Sequence, residues 1–324
     1  MELTAVLNAE QIKRKYIQKR ARKAITVTLL APVLVFVFQL IFSYCIYLPI
    51  SYYFPALLNS PWSYLIDIAG YVFYILLPFI TVMLIFKGIN KNVEHFVVKR
   101  TSPKAPFLYI FGAIGVGYIV NFTINIFFGT LIEKYSADLG IQASTPIEII
   151  LCYVLYAVLP AIIEEWGFRG ILCKNLLPYG KGGAILISSI IFGIAHVDPP
   201  RIIFATAFGM VLAVCYQYTG SLKIPMLIHF INNTISVTAS LFPEESIPTI
   251  LISQLILGIM GCGIAAIIFY ANKGIEKQKI SIIKPKTIGY KLSISQMLKR
   301  AGLNYMLIPL FILYCIFFAI YFIL

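Results

Sequence analysis

Charge is what this chain has least of. Only 12% of its 324 residues are charged, 13 of them acidic, against 60% hydrophobic residues and a mean hydropathy of +0.89. A water-soluble core of this size could not bury so much apolar surface, so a soluble enzyme is excluded. No Gly/Ser-rich or Pro-rich linker breaks the apolar runs, which leaves one membrane domain rather than two soluble ones. A cleavable signal peptide is also missing: residues 1–23 are polar, and the first apolar run is too long and lacks a small-residue cleavage site, so it reads as a retained span. No convincing inverted repeat of the transporter kind is present. The six cysteines sit within or beside apolar runs, so no disulfide framework is implied and they read as small buried hydrophobes.

What is there is a succession of apolar runs. A span needs about 20 residues, and nine runs qualify, at 24–50, 62–86, 107–132, 146–172, 183–198, 201–219, 224–241, 248–271 and 305–324. The fifth is short. The expected fold is all-α, a polytopic transmembrane helix bundle of about nine spans (24–324) behind a basic cytoplasmic segment, 1–23. The net charge of +13 does not point to nucleic acid, because the cations track topology. With the N-terminus inside, the inner segments 13–23, 87–104, 169–181, Lys223 and 273–300 hold all the Lys and Arg except Lys134 and Arg201. That is the positive-inside pattern; it places the N-terminus in the cytoplasm and the C-terminus outside, and the basic inner segments should attract anionic lipid headgroups. The Lys-rich loop 272–304 ends in Ser293-Ile-Ser-Gln-Met-Leu-Lys-Arg300, whose last turns suit an interfacial helix.

Against this background Glu164-Glu165-Trp166-Gly167-Phe168-Arg169 is an anomaly, since Glu148 is the one other charge in the nineteen residues before it. Each ionised group at mid-membrane costs roughly 2.5–3.5 kcal/mol on insertion scales, so a functional reason is the default reading. On a helix Glu165 and Arg169 are four apart and share a face, while Glu164 projects elsewhere. Glu165 is therefore expected to pair with Arg169, leaving Glu164 as the free carboxylate for general acid or base work. A buried ion pair that only fixes helix packing would look the same on this segment alone.

Two further polar intrusions follow. Phe192-Gly-Ile-Ala-His196 closes the fifth run before Asp198-Pro199-Pro200, and His229-Phe-Ile-Asn-Asn233 lies in the seventh. His196 alone reads as a helix-end histidine bonded to backbone. His229 and Asn233 share one face, as paired oxyanion donors or as interhelical glue. The third histidine, His95, falls in an expected inner loop.

Together, E-E-x-x-x-R, then F-x-x-x-H about thirty residues on, then H-x-x-x-N, resembles the signature of the CAAX protease and bacteriocin-processing family of intramembrane endopeptidases, also called the Abi family. The resemblance covers roughly 146–240, under a third of the chain. It implies a glutamate-dependent protease in which Glu164 and His196 activate water and His229 and Asn233 stabilise the oxyanion, with Glu165, Arg169 and Phe192 in support. It implies hydrolysis of a peptide bond in a membrane-associated peptide or protein, within a multi-pass bacterial cell-membrane protein. The substrate by resemblance is a prenylated C-terminal peptide, a bacteriocin or signalling-peptide leader, or a membrane-anchored regulator. No cofactor is expected. Zinc is the alternative, with Glu164, His196 and His229 as ligands, but H-E-x-x-H is absent and Glu165 is committed to Arg169. A non-catalytic bacteriocin-immunity or binding protein and an ion-coupled transporter are the competing functions. The site requires a polar cavity open to one membrane face. One tension stands: with 1.5 Å of rise per residue, His196 lies about 21 Å along a fifth helix starting at Gly182, whereas Glu164 and His229 read as closer to the inner face.

Overall fold

The computed structural model describes residues 2–89, 105–135, 143–196, 199–241, 247–271 and 291–322, so His95, Asp198 and most of the Lys-rich loop lie outside the described residues. All the secondary structure among the described residues is helical. α1 (Glu2–Phe42) runs on through Ser43–Tyr47 into Leu48–Tyr53. There follow α2 (Trp62–Ile89), α3 (Ala105–Tyr135), α4 (Pro146–Leu176), α5 (Lys181–Ile194), α6 (Pro199–Thr219), α7 (Lys223–Ser240), α8 (Ile247–Ala271), α9 (Ile294–Gly302) and α10 (Leu307–Phe322).

Each of the nine apolar runs lies largely on a helix, yet among the described residues six helices are long and apolar enough to cross a membrane, or seven if α9 and the helix after it, bent by 68°, count as one span. The expected count of nine is not reached on that measure because α5 and α7 fall short. At 14 residues α5 rises about 21 Å, less than a hydrocarbon core of about 30 Å. α7 has 18 residues and carries Asn232, Asn233, Thr234, Ser236 and Thr238 on its apolar background. These are the two helices that bear the histidine motifs, so the polarity that makes the site also weakens the span signal.

Several helices widen locally to i→i+5 pairing. Three of the wide segments, Ser43–Tyr47, Val72–Leu76 and Val154–Val158, stand just before Pro49, Pro78 and Pro160. Proline lacks an N–H and crowds the carbonyl four residues back, and a wider turn relieves both. The fourth, Glu165–Cys173, has no proline and contains the charged motif.

Near the start of α1 the helix crosses residue 24 without a break, and Ile17, Ala21, Ala24 and Ile25 are fully buried in a core shared with Leu176, Tyr179, Leu292 and Met297. The Tyr179 carbonyl accepts the Leu292 N–H at 2.7 Å. Ser293 and Gln296 cap α9 reciprocally, as their spacing implies. α9 is pressed so closely on α5 that a Cβ at Gly183 would stand 2.4 Å from the Met297 sulfur. On another side α3 and α8 cross at Gly115 and Gly261, where a Cβ on Gly261 would meet the Gly115 Cα at 2.7 Å; small residues permit this approach between membrane helices.

Candidate active site

α4 starts at a complete capping box, in which Glu148 accepts the N–H groups of Ser144 and Thr145 at 2.9 Å each. The lone charge upstream of the motif is thus a helix cap. Further along, Glu165 and Arg169 form the expected pair, with Arg169 Nη1 donating to Glu165 Oε1 at 2.7 Å and both side chains essentially without exposure. The guanidinium is satisfied from two more directions: Nη2 donates to the Gly209 carbonyl at 3.0 Å, and the plane lies 4.4 Å from the Phe192 ring centroid. A Cβ at Gly209 would sit 3.1 Å from Arg169 Nη2, so the bare backbone there lets the cation reach the carbonyl. These contacts offset the desolvation of a buried charge.

The same Glu165 Oε1 also faces His229 Nδ1 at 2.9 Å. A carboxylate oxygen only accepts, so Nδ1 carries a proton and Nε2 is the ring nitrogen turned to the second glutamate. That Nε2 lies 4.0 Å from Glu164 Oε2. The other Glu164 oxygen accepts the Tyr71 hydroxyl at 2.6 Å, while Oε2 is buried without a hydrogen-bond partner. The division of the two glutamates stands on these distances: one neutralised by Arg169, the other held by a phenol with one oxygen unengaged.

His196 occupies the turn after α5, with Nδ1 2.9 Å from the Phe192 carbonyl. A carbonyl also only accepts, so Nδ1 is protonated here too and Nε2 is the nitrogen left to the site. Phe192 joins the pieces: its ring meets His196 edge-on at 5.0 Å and His229 at 5.8 Å. His196 lies within electrostatic reach of both Glu164 and His229.

Asn233 is oriented by backbone chemistry. Pro160 has no N–H to give the Tyr156 carbonyl four residues back, and Asn233 Nδ2 donates to that carbonyl at 3.1 Å. Asn232 Nδ2 donates to Asn233 Oδ1 at 3.2 Å, which fixes the amide and leaves Asn233 its second N–H. His196, His229, Asn232 and Asn233 line one cavity of about 350 Å³ with Tyr156 and Arg201. α3 supplies another wall through Tyr118 and Asn121, and Phe204 and Phe208 an apolar one.

The tension over depth disappears in the helix starts. α4 continues to Leu176, so Glu164 lies roughly 18 Å from that end, and His196 roughly 22 Å from the start of α5, at about 1.5 Å per residue. α7 begins deep as well: the Leu222 side chain just before it would stand 3.1 Å from a Cβ at Gly170 on α4. Measured from that contact, Glu164 lies six residues along α4 and His229 seven along α7, roughly 9 and 10 Å.

Tyr71, Asn232, Tyr156 and the α3 wall were outside the motif reading. Nothing marks Tyr71 among 21 tyrosines, since its partner is 93 residues away. Asn232 adjoins a motif position and was within reach. As for zinc, among the described residues no group of three His, Cys, Asp or Glu side chains converges with metal-ligand geometry, and Glu165 Oε1 is already shared by Arg169 and His229.

Residues 146–235 match the family model of the type II CAAX prenyl endopeptidases, described as Rce1-like. YdiL of Bacillus subtilis, which is named as a membrane peptidase, is 32% identical over 143 residues, 43% of this chain and 55% of that protein. The membrane-embedded CAAX protease MroQ of Staphylococcus aureus is 23% identical over 174 residues, 49% of this chain and 70% of that protein. The chain thus spans about half the length of the first of these relatives and about two thirds of the second. No solved structure gives a significant match. Joined to a bundle in which six or seven of the described helices are long and apolar enough to cross a membrane, these likenesses describe a multi-pass bacterial membrane protein whose residues 146–235 match the Rce1-like CAAX prenyl endopeptidase model, in agreement with the three-part glutamate, histidine and asparagine signature.

Proposed function

We propose that this chain is an intramembrane endopeptidase that hydrolyses a peptide bond in a membrane-associated peptide or protein. The observation that carries the reading is the Glu164 carboxylate, one oxygen tied to Tyr71 and the other unengaged 4.0 Å from His229 Nε2, next to a cavity lined by both histidines and both asparagines. His229 donates its Nδ1 proton to Glu165, and its Nε2 lies toward Glu164. This moves His229 to the side of the base and leaves the developing oxyanion to the free Asn233 N–H, with Asn232 beside it.

In this scheme a water proton passes to Glu164, assisted by the histidine Nε2 lone pairs, as the water oxygen bonds to the scissile carbonyl carbon. The carbonyl oxygen takes the charge and is held by the asparagine amide. When the C–N bond breaks, the stored proton goes to the leaving nitrogen, giving a carboxyl and an amine product. Low dielectric around the site strengthens each of these interactions. No step uses a metal, so cleavage is expected to survive thorough chelation. The apolar wall and the membrane setting suit a peptide that arrives in the bilayer, and anionic lipid is the proposed surface partner of the basic segment Lys13 to Lys23.

The test compares peptide termini in membranes of cells making the wild type or Glu164→Gln. Termini present only with the wild type support the reading. Identical termini in both, or a protective phenotype that persists in Glu164→Gln, would favour a non-catalytic role.

A further inference from the structure

The side chain that bonds Glu164 belongs to no motif and lies outside the residues 146–235 that match the family model. Tyr71 comes from α2, and its hydroxyl donates to Glu164 Oε1 at 2.6 Å, a short bond of the kind made to a charged acceptor. We infer that Tyr71 is a positioning residue for Glu164, holding one carboxylate oxygen so that the other stays turned toward His229 and the reacting water. The inference rests on the endopeptidase reading.

A carboxylate's last torsion is broad and roughly two-fold, so without an anchor the group would sample orientations that do not face the base partner. With Oε1 fixed, Oε2 is left buried, without a hydrogen-bond partner, and 4.0 Å from His229 Nε2. Among the described residues Glu164 has no other side-chain hydrogen bond, and Arg169 is engaged by Glu165, Gly209 and Phe192. The anchor is itself held in register. Two turns beyond Tyr71, the Phe79 ring packs so tightly over α4 that a Cβ at Gly167 would stand 2.4 Å from it, and it meets Phe168 edge-on at 5.0 Å. The Tyr74 ring closes on Tyr71 at 5.9 Å. The wide turn Val72–Leu76, forced by Pro78, separates the two fixed points and sets the direction in which Tyr71 leaves the helix. α2 therefore completes a site whose motifs all lie on α4, α5 and α7.

A buried phenol also needs a partner for its own sake, so the experiment must separate positioning from packing. The full chain is reconstituted in liposomes with a membrane-anchored peptide that the wild type cuts, and kcat and KM are measured for wild type, Tyr71→Phe, Glu164→Gln and a variant with 3-fluorotyrosine at position 71. Tyr71→Phe keeps the ring and removes only the donor. It is expected to lower kcat by about ten- to a hundredfold, the range of one hydrogen bond to a charged group, with KM within about twofold. The fluorinated tyrosine, which keeps the hydroxyl, is expected to restore the rate. A Tyr71→Phe enzyme within twofold of wild-type kcat, beside an inactive Glu164→Gln, would overturn the inference. So would a slow Tyr71→Phe that fluorotyrosine fails to rescue, since the loss would then be one of packing. Full activity in Glu164→Gln would instead remove the endopeptidase reading beneath it.

Discussion

Three demands meet at Arg169. It neutralises Glu165, donates to the Gly209 carbonyl and stacks on Phe192, whose ring also touches both site histidines. Removing one partner of a buried pair leaves the other charged and uncompensated, so Arg169→Ala is expected to destabilise the protein by about 3–5 kcal/mol, read by unfolding in detergent, with partial recovery when Glu165→Gln is added. Asn233 carries a different load. Asn233→Ala removes the proposed oxyanion donor, and kcat is expected to fall by about 10²–10³-fold, with a stability loss of about 1–3 kcal/mol from the Tyr156 carbonyl it leaves unpaired. The Glu165–Arg169 pair was legible because it is local: four residues on a helix define one face. The surroundings of Glu164 and His229 were only half legible, since each bonds a partner on another element, Tyr71 for one and the Glu165 carboxylate for the other.

At the scale of elements, proline does much of the shaping. Pro160 frees the Tyr156 carbonyl that Asn233 uses, so Pro160→Ala would supply a competing N–H and strengthen the helix at the expense of the amide. The expected outcome is a protein at least as stable as the wild type with a lower kcat, measured by paired unfolding and cleavage assays. The α3–α8 crossing makes the opposite kind of prediction. At Gly261 a side chain would strike the Gly115 backbone, so Gly261→Leu is expected to cost about 1–3 kcal/mol or more through overpacking. Neither device could be read beforehand: the proline positions were visible, but which carbonyl each one frees for use, and which glycine meets which, depends on packing between distant segments. The shortness of α5 was visible, and it matters, because a helix of about 21 Å is shorter than a hydrocarbon core and its end carries His196 within electrostatic reach of Glu164.

For the whole molecule, fold class follows from composition, since a chain with 60% hydrophobic residues and scattered cations has few alternatives to a helical bundle. The number of crossings does not follow so easily, because apolar length alone does not distinguish a full span from a short helix inside the bundle. The proposed orientation, with the N-terminus inside, predicts that in a cysteine-free background Asn59→Cys is labelled by an impermeant thiol reagent from outside the cell and Lys299→Cys only after permeabilisation. The core that joins α1, Tyr179 and α9 docks the stretch of α1 around Ile17 to Ile25 on the bundle, which in the proposed orientation is its inner end. The account stands or falls on Glu164, and the most direct measurement is single-turnover cleavage of one membrane-anchored peptide by the purified, reconstituted wild type and by Glu164→Gln. The predicted result is a fall of about 10²–10⁴-fold on losing the base; equal rates would contradict the assignment of Glu164 as the residue that activates water.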